Sequence, residues 1–190
     1  MELFSERLCI REFVEGDFQP LRGMDIKPEM HTYEREQPSE AETMALLKAS
    51  ITSQNEIPRT LYRMAITIQP YASVKGLIKF SQQWAAIREW EIGWAVEPAE
   101  WGKGYATEAA WTVMDWAFTE LKVHRIVAFC HADNTASVRV MEKLGMHMDG
   151  RLRETRWLHG AWWDEFVYAI LEHEWQENQK ASAGTGLRGL

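Results

Sequence analysis

The sequence predicts an α+β fold, with a mainly antiparallel sheet that contains one parallel crossover unit. Three observations indicate this class. Strand-like segments come first, a strand–helix–strand–helix run follows in the middle, and two strands joined by a tight turn come near the end. The 190 residues, 46% of them hydrophobic, suffice for one domain with a buried core. We expect this domain over residues 1–175 and a disordered, Gly-rich tail over 176–190.

The first half of the chain reads as strands and two short helices. The first strand is RLCIREF, and a short helix follows from Asp17 to Met24. A second helix begins at Ser39 in SEAETMALLKASI, where Ser39 and Glu42 have capping-box spacing. Three strands come next, LYRMAITIQ, VKGLIKFSQQWA and REWEIGWAV, and Pro98 ends the last of them.

In the second half of the chain the hydrophobic pattern predicts a helix, a strand, a second helix and then two strands. A helix begins at Gly104, because apolar residues recur on one face of the following segment: Ala106, Ala110, Val113, Met114, Ala117 and Leu121. HRIVAFC is nearly all apolar, which suits a buried strand. Asn134 is positioned as the N-cap of a helix that runs to Leu144, and Gly145 occupies the C′ position. HMDGRLRETRWL and AWWDEFVYAILEH read as two strands joined around His159-Gly160.

Composition and charge argue against several classes of partner. The formal net charge is −7 and no basic run is present, so we expect no nucleic-acid partner. No stretch reaches the ~20 apolar residues of a membrane helix, so we expect no membrane partner. Cys9 and Cys130 lie far apart without CxxC spacing, which favours a reducing cytoplasm. The histidines show no ligand spacing, so we expect no metal, and His124 and His131 simply bracket a strand.

The stretch EWGKGYATEAAW, Glu100 to Trp111, carries the strongest functional signal. Gly102 and Gly104 flank Lys103 between a strand and a helix, and glycine permits positive φ and the close approach of a ligand. A helix N-terminus has unpaired N–H groups and about half a positive charge, so it attracts phosphate. Taken alone, the pattern fits either an anion cradle or an ordinary connection.

Two common phosphate-binding patterns fit this stretch poorly. A P-loop needs a Gly-Lys-Ser/Thr ending, which is absent. The dinucleotide fingerprint GxGxxG is met at Gly102 and Gly104 but fails at Thr107, although Asp133 supplies an acid at the end of the next strand. The segment Glu97 to Trp101 also separates the strand from its first glycine, and only one crossover unit is predicted.

A third pattern, Q/R-x-x-G-x-G/A, fits WGKGYA except at its first position, Trp101. With EIGWAVEPAEWGKGYATEA, HRIVAFCHADNTASVRVMEKLGM and GRLRETRWLHGAWWDEFVYAIL in this order, the sequence resembles the GNAT N-acetyltransferases. More closely, it resembles their RimJ/RimL-type branch, which acetylates the N-termini of ribosomal proteins. The resemblance covers Arg7 to about Trp175. It implies the GNAT fold, a mixed and mostly antiparallel central sheet of about seven strands with flanking helices, in a monomer or homodimer.

The resemblance implies acetyl-CoA as the cosubstrate, held mainly by backbone groups. A strand segment would diverge from its neighbour and offer these groups to the pantetheine arm and the acetyl carbonyl: Trp94, Ala95 and Val96. Asn134 would contact the pantetheine arm, and Ser137 would lie near the sulfur. The loop and helix N-terminus would bind the pyrophosphate, with Lys103 as a neighbouring cation: Trp101, Gly102, Lys103, Gly104, Tyr105, Ala106 and Thr107.

The implied reaction is direct attack of a primary amine on the thioester, without a metal. The amine belongs either to a protein N-terminus or to a small molecule. Glu91 is the candidate base, because alternation places it on the same strand face as Ala95, and some relatives carry their base there; Glu154 or a water chain is the alternative. Many relatives place a tyrosine acid where this chain has Met141, so the candidate acid is Ser137 or a water, or the reaction uses no acid at all.

Simpler interpretations remain for several of these residues. Glu91 also fits a solvated charge at a strand end, and Asn134 a helix cap alone. Arg153 and Glu154 also fit side chains that form ion pairs with partners across the sheet. A catalytically silent CoA-binding module and a dinucleotide-dependent enzyme are the alternative functions. Adjacent tryptophans, Trp162 and Trp163, point to opposite sheet faces, so at most one of them lines a pocket.

Overall fold

The computed structural model of the chain describes residues 1–33, 36–70 and 72–184. Its helices are α1 (Phe18–Asp25), α2 (Glu40–Thr52), α3 (Tyr105–Thr119), α4 (Thr135–Lys143) and α5 (Glu172–Gly184). Its strands are β1 (Glu2–Phe4), β2 (Leu8–Glu12), β3 (Leu61–Ile68), β4 (Val74–Trp84), β5 (Glu89–Val96), β6 (Arg125–His131), β7 (His147–Leu158) and β8 (Ala161–Leu171).

One eight-stranded sheet runs through the described chain in the order β1-β2-β3-β4-β5-β6-β8-β7. Neighbouring strands pair antiparallel, except for β5 and β6, which are parallel and are connected through α3. The predicted α+β class with one parallel crossover is therefore confirmed. The short edge strand β1 has only three residues and was not predicted, because so short a segment shows no periodicity.

Helices cover both faces of the sheet. On one face, called the α1 face, α1 and α2 pack over a core that includes Phe13, Leu21, Met24, Leu47 and Ala65. On the other, called the α3 face, α3, α4 and α5 contribute to a larger core that includes Ile92, Val113, Met114, Ile126, Met141 and Trp175. None of the described helices is long and apolar enough to cross a membrane.

The predicted caps are present. Ser39 and Glu42 form a reciprocal capping box at the start of α2. Asn134 Oδ1 accepts the backbone N–H of Ser137 at 3.1 Å at the start of α4. Gly145 ends α4 with φ +75°, which favours glycine because a Cβ is strained there. The caps at Asn134 and Gly145 position α4 beside β6.

Residues 176–184, the first part of the predicted tail, are helical in the structure. Helix α5 continues to Gly184, because Trp175 is 4% exposed and its ring stacks on Phe118 and packs against Trp111 of α3. This tertiary contact anchors a segment whose composition alone suggests fraying. The rest of the predicted tail, 185–190, lies outside the described residues.

The predicted ion pairing of Arg153 and Glu154 with partners across the sheet is not found among the described residues. The pairs across this part of the sheet are Arg151 with Asp164 and Arg156 with Glu165. The register of β7 against β8 shifts between Leu152 and Arg156, and Glu154 has φ +53° in this irregular segment. The bulge therefore changes which side chains meet.

Candidate active site

The parallel strands β5 and β6 separate and leave a gap in the middle of the sheet. They pair from Glu89 to Glu91, and the last pair is Glu91 with Val127. Beyond this pair, β5 continues to Val96 and β6 to His131 without pairing to each other. The expected divergence of the segment Trp94 to Val96 is therefore present, and it frees backbone groups on one side of β5.

The free backbone groups of β5 belong to alternate residues. The N–H of Glu97 donates to the carbonyl oxygen of Lys75 on β4, at 2.8 Å. Because backbone groups alternate in direction along a strand, those of Ala95 also face β4, whereas those of Trp94 and Val96 face the gap. Of the three residues expected to offer backbone groups, Trp94 and Val96 can do so and Ala95 cannot.

Trp101 connects the glycine loop to the end of β5. Its indole Nε1–H donates to Val96 O at 2.6 Å, although the side chain is 52% exposed. The aromatic residue at the first position of the loop pattern therefore fixes the loop against the gap. The same bond occupies the carbonyl of Val96 and leaves its N–H facing the gap.

The glycine loop presents free N–H groups at the start of α3. Gly102 and Gly104 have φ +76° and +85°, and Gly104 is the N-cap residue of the helix. In the part of the chain that the structure describes, no hydrogen bond has an N–H from Gly102 to Thr107 as its donor. A Cβ built on Gly102 meets no atom within 4 Å, so the space above the loop is open. Such a cluster of donors at the positive end of a helix fits a phosphate group.

A network that the sequence did not reveal fixes the loop from behind. Glu108 on the first turns of α3 is 1% exposed, and its carboxylate accepts bonds from Ser5 Oγ at 2.7 Å and Arg7 Nε at 2.7 Å. Arg7 Nη1 also donates to Lys103 O at 3.0 Å, and the guanidinium lies over the Tyr105 ring. Arg7 thus holds the loop carbonyl away from the free N–H groups.

The charge of Glu108 is maintained by this network. Burial raises the pKa of its carboxyl, but the hydrogen bonds from Ser5 and from Arg7, together with the charge of Arg7, outweigh burial and leave the pKa below its ordinary value. Arg7, the glycine loop and the C-terminal end of α4 line one cleft of about 890 Å³. Nothing in the local pattern around RLCIREF points to this role for Arg7.

Lys103, the expected phosphate neighbour, is half exposed. Its Nζ is 2.7 Å from Glu100 Oε2, and this hydrogen bond raises the pKa of the Lys103 amine. The ion pair lies at the rim of the loop. A phosphate at the loop would compete with Glu100 for the lysine, so Lys103 adds little that the backbone does not already provide.

The predicted residues of α4 lie at the end of β6, beside the gap. Asn134 and Ser137 are both half-buried, and the N-cap bond joins them. No described group accepts from or donates to the Ser137 hydroxyl. Met141, at the position where the resemblance implies a tyrosine, is fully buried in the core. A proton donor for a thiolate must therefore come from Ser137, from water or from another element.

Glu91 occupies the last paired position before the gap. Its carboxylate accepts from Lys79 Nζ at 3.1 Å and Gln83 Nε2 at 2.9 Å. The alternative base, Glu154, lies on β7, the outer strand of the sheet, which is about 10 Å from β6 at two strand spacings. The structure thus brings Glu91 to the gap and leaves Glu154 at the sheet edge.

An opened pair of parallel strands beside a glycine-rich helix N-terminus defines a protein that can hold an extended, phosphate-bearing cofactor. Residues 7–147 match the family model for the acetyltransferase (GNAT) domain. The chain therefore belongs to the GNAT acetyltransferase family and is an enzyme that transfers acetyl groups to amines.

Individual relatives agree with this assignment. The chain is 32% identical over 176 residues to the uncharacterized N-acetyltransferase YnaD of Bacillus subtilis, covering 92% of this chain and 99% of that protein. It is 23% identical over 181 residues to spermidine N(1)-acetyltransferase of Escherichia coli, covering 94% of each.

Solved structures share the fold. A GNAT-family acetyltransferase from Bacillus anthracis, 32% identical, has a TM-score of 0.80 and covers 91% of this chain and 99% of its own. RimL, a ribosomal L7/L12 α-N-protein acetyltransferase solved with coenzyme A, has a TM-score of 0.81 at 19% identity, covering 90% of this chain and 98% of its own. The resemblance to the RimJ/RimL-type branch is thus confirmed at the level of the fold.

Proposed function

We propose that this chain uses acetyl-CoA to acetylate a primary amine by direct attack on the thioester. The observation that carries the proposal is the row of free N–H groups from Gly102 to Thr107 beside the gap between β5 and β6. A pyrophosphate at α3 and an extended pantetheine arm in the gap together match this arrangement. Bound acetyl-CoA supplies the activated acetyl group, and the residues of the chain position it.

Backbone groups of β5 stabilise the negative charge that develops on the carbonyl oxygen. The N–H groups of Trp94 and Val96 face the gap and are already oriented by the pairing of β5 with β4. Fixed donors of this kind contribute most where charge appears in the transition state. Asn134 at the start of α4 completes the channel for the pantetheine arm from the other side of the gap.

Glu91 is the proposed base. It lies where the strands separate, and its side chain points to the α1 face, opposite the face that carries the glycine loop. The bonds from Lys79 and Gln83 use part of the acceptor capacity of a carboxylate, which has about four lone-pair sites. The remaining sites accept the amine proton directly or through a water.

Ser137 is the proposed group that protonates the departing thiolate. Its hydroxyl lies on the first turn of α4, and its backbone N–H donates the cap bond to Asn134 Oδ1. A water in the same place would serve equally, since Met141 is buried and carries no proton. The helix N-terminus next to this hydroxyl also stabilises negative charge on sulfur.

The alternative functions fit the site less well. A dinucleotide enzyme places its glycines directly at the strand end, whereas here Trp101 holds a separate loop against Val96. A catalytically silent module does not need a carboxylate at the separation point of the strands. The acceptor is either a protein N-terminus or a small-molecule amine.

The test is release of free CoA thiol in the presence of a panel of amines. The panel contains peptides with free N-termini, lysine derivatives, polyamines, aminoglycosides and aromatic amines, each with acetyl-CoA and the wild-type chain. We expect at least one class to give release above the rate of hydrolysis, with the acetylated amine detected by mass spectrometry. Tight acetyl-CoA binding without release for any amine would favour the silent module.

A further inference from the structure

A buried histidine ends β6 beside the gap. His131 is the last residue of this strand and is 3% exposed. Its cross-strand partner on β8 is Glu165, and Val127, four residues earlier on β6, pairs with Glu91. Because side chains alternate along a strand, His131 lies on the α1 face with Glu91. It therefore lies on the side from which an acceptor would approach the proposed base.

His131 also lies opposite the segment that would hold the acetyl group. Glu91 and Val127 are the last paired residues, and Ala95 and His131 each lie four residues further along their strands. At about 3.3 Å per residue, both positions are about 13 Å beyond the last pair. Measured along the strands, His131 on β6 and the free backbone groups of β5 are therefore equally far from the last pair, on opposite sides of the gap.

A backbone hydrogen bond fixes the tautomer of this ring. The N–H of Asp133 donates to His131 Nδ1 at 3.0 Å. A nitrogen that accepts such a bond carries no proton, so the proton of the neutral ring is on Nε2. Among the described residues, Nε2 of His131 has no protein partner. This nitrogen is not fully buried either, because the one fully buried side-chain nitrogen or oxygen without a partner in that set is His31 Nδ1. The Nε2–H of His131 is therefore open to a ligand.

Two aromatic rings hold the imidazole in place. The ring centroid of His131 is 4.5 Å from that of Trp163 and 5.1 Å from that of Tyr33. The Trp163 indole is itself fixed by its bond to Leu158 O at 3.0 Å. Trp163 is thus the member of the tryptophan pair that lines the site, whereas Trp162 is 57% exposed on the other face. The donor is held rigidly, as a specificity contact requires.

Three carboxylates near the gap on this face are paired with cations. In the described part of the chain these pairs are Glu91 with Lys79, Glu97 with Lys27 and Lys75, and Glu165 with Arg156. Hydrogen bonds from Lys27 and Lys75 hold the pKa of Glu97 below its ordinary value, so this carboxylate stays charged and paired. These three carboxylates are therefore neutralised and do not by themselves form an acidic patch for a polycation.

We propose that His131 Nε2–H donates a hydrogen bond to an oxygen of the acceptor, so that preferred acceptors carry a carbonyl or carboxylate oxygen next to the amine. A peptide N-terminus and an α-amino acid have this oxygen, and a polyamine lacks it. The inference rests on the proposed acetyl transfer, whose acceptor class it narrows.

The test compares two acceptors in three proteins. Alaninamide carries the oxygen, and sec-butylamine has nearly the same shape without it. For His131→Phe we expect kcat/KM to fall about tenfold with alaninamide and to change by less than about twofold with sec-butylamine, since one hydrogen bond is lost. His131→Gln keeps an N–H donor and should recover part of the loss. Comparing each variant with wild type on the same amine cancels the different amine pKa values.

Two further measurements keep the inference separate from the proposed function. Calorimetry should give the same Kd for acetyl-CoA in wild type and His131→Phe. Spectra of chain labelled with ¹⁵N-histidine should show the His131 proton on Nε2. Equal losses with both amines, turnover of oxygen-free amines alone, or a proton on Nδ1 would each overturn the inference. Absence of turnover with every amine counts against the proposed function, while the imidazole spectrum still tests His131.

Discussion

Glu91 combines two properties at the scale of a single residue, a place at the separation point of β5 and β6 and a carboxylate held by two donors. We predict that Glu91→Gln lowers kcat about 10²-fold at neutral pH, because a positioned base contributes on that scale. The loss should shrink as pH rises, because the free amine becomes abundant near a pKa of ~8 for an α-amine or ~10.4 for lysine. Steady-state kinetics across this pH range give the measurement.

Glu89 provides the matched control for this prediction. It lies two residues earlier on the same face of β5, and its carboxylate pairs with Arg125 at 2.7 Å. Glu89→Gln should leave kcat within about twofold of wild type, since it lies outside the gap. If Glu91→Gln and Glu89→Gln behave alike at neutral pH, Glu91 is not the base.

Glu108 gives a pH-dependent prediction of stability. Its folded-state pKa lies below the ordinary value, so the stabilisation is fully present above the unfolded-state pKa of about 4.3 and is lost as pH falls through the folded-state pKa. We predict that Glu108→Gln lowers the free energy of unfolding by about 2 kcal/mol at pH 7, the scale of a charged hydrogen bond, and by less in acid. Urea unfolding at several pH values measures both.

Glu120, exposed just after α3, is the control for Glu108. Glu120→Gln should change the free energy of unfolding by at most about 0.5 kcal/mol at any of these pH values. A deficit for Glu108→Gln that stays constant from neutral pH into acid would show that the charge of Glu108 does not stabilise the fold.

A residue's contacts could be predicted from the sequence only where its partner lies a few residues away. Asn134 and Gly145 act on backbone groups a few residues away, so their caps are visible in the sequence. Arg7 and Glu108 are separated by about a hundred residues, and no local sequence pattern predicts their contact. His131 was interpreted as structural for the same reason, since its partner rings come from distant segments.

Gly76 controls the position of β5 at the scale of secondary-structure elements. A Cβ at this residue would lie 2.6 Å from Ala95 O and 3.3 Å from Val96 Cα, and backbone atoms cannot move aside cheaply. We predict that Gly76→Ala lowers the free energy of unfolding by about 1–3 kcal/mol, as overpacking does. It should also weaken acetyl-CoA binding, because the end of β5 shifts. Chemical unfolding and calorimetry measure the two effects.

Gly93 offers the matched control on β5. A Cβ built there meets nothing within 4 Å. Gly93→Ala should therefore retain both stability and acetyl-CoA affinity. Equal behaviour of the two alanine variants would mean that close approach of β4 and β5 does not define the gap.

Helices α1 to α4 and most strands were predictable because their signals are periodic and local. The helix α3 and the strands β3 to β8 lie within a few residues of their predicted bounds. The bulge in β7, the pairing of its charges and the whole of helix α5 were not predictable, because each depends on contacts with another element. The glycine loop was predictable as a candidate, whereas its attachment through Trp101 required the structure.

For the molecule as a whole, we propose that the two faces of the sheet divide the work. The glycine loop and its supporting network belong to α3, whereas Glu91, His131 and Trp163 lie on the opposite face. The gap between β5 and β6 is the passage between the faces, so that the acetyl group meets the amine inside the sheet. This division explains how one domain admits two substrates from opposite sides.

Calorimetric titration with acetyl-CoA tests the central claim, binding by the backbone of the glycine loop, most directly. Wild type should bind acetyl-CoA and should not bind NAD. At a hundredfold excess over its Kd, acetyl-CoA should raise the free energy of unfolding by about 2.7 kcal/mol. Gly104→Val should weaken binding far more than Lys103→Ala, since a side chain crowds the cradle and strains φ +85°, whereas Lys103 is an exposed charge already paired with Glu100. Binding of NAD but not acetyl-CoA, or equal losses in the two variants, would contradict the account.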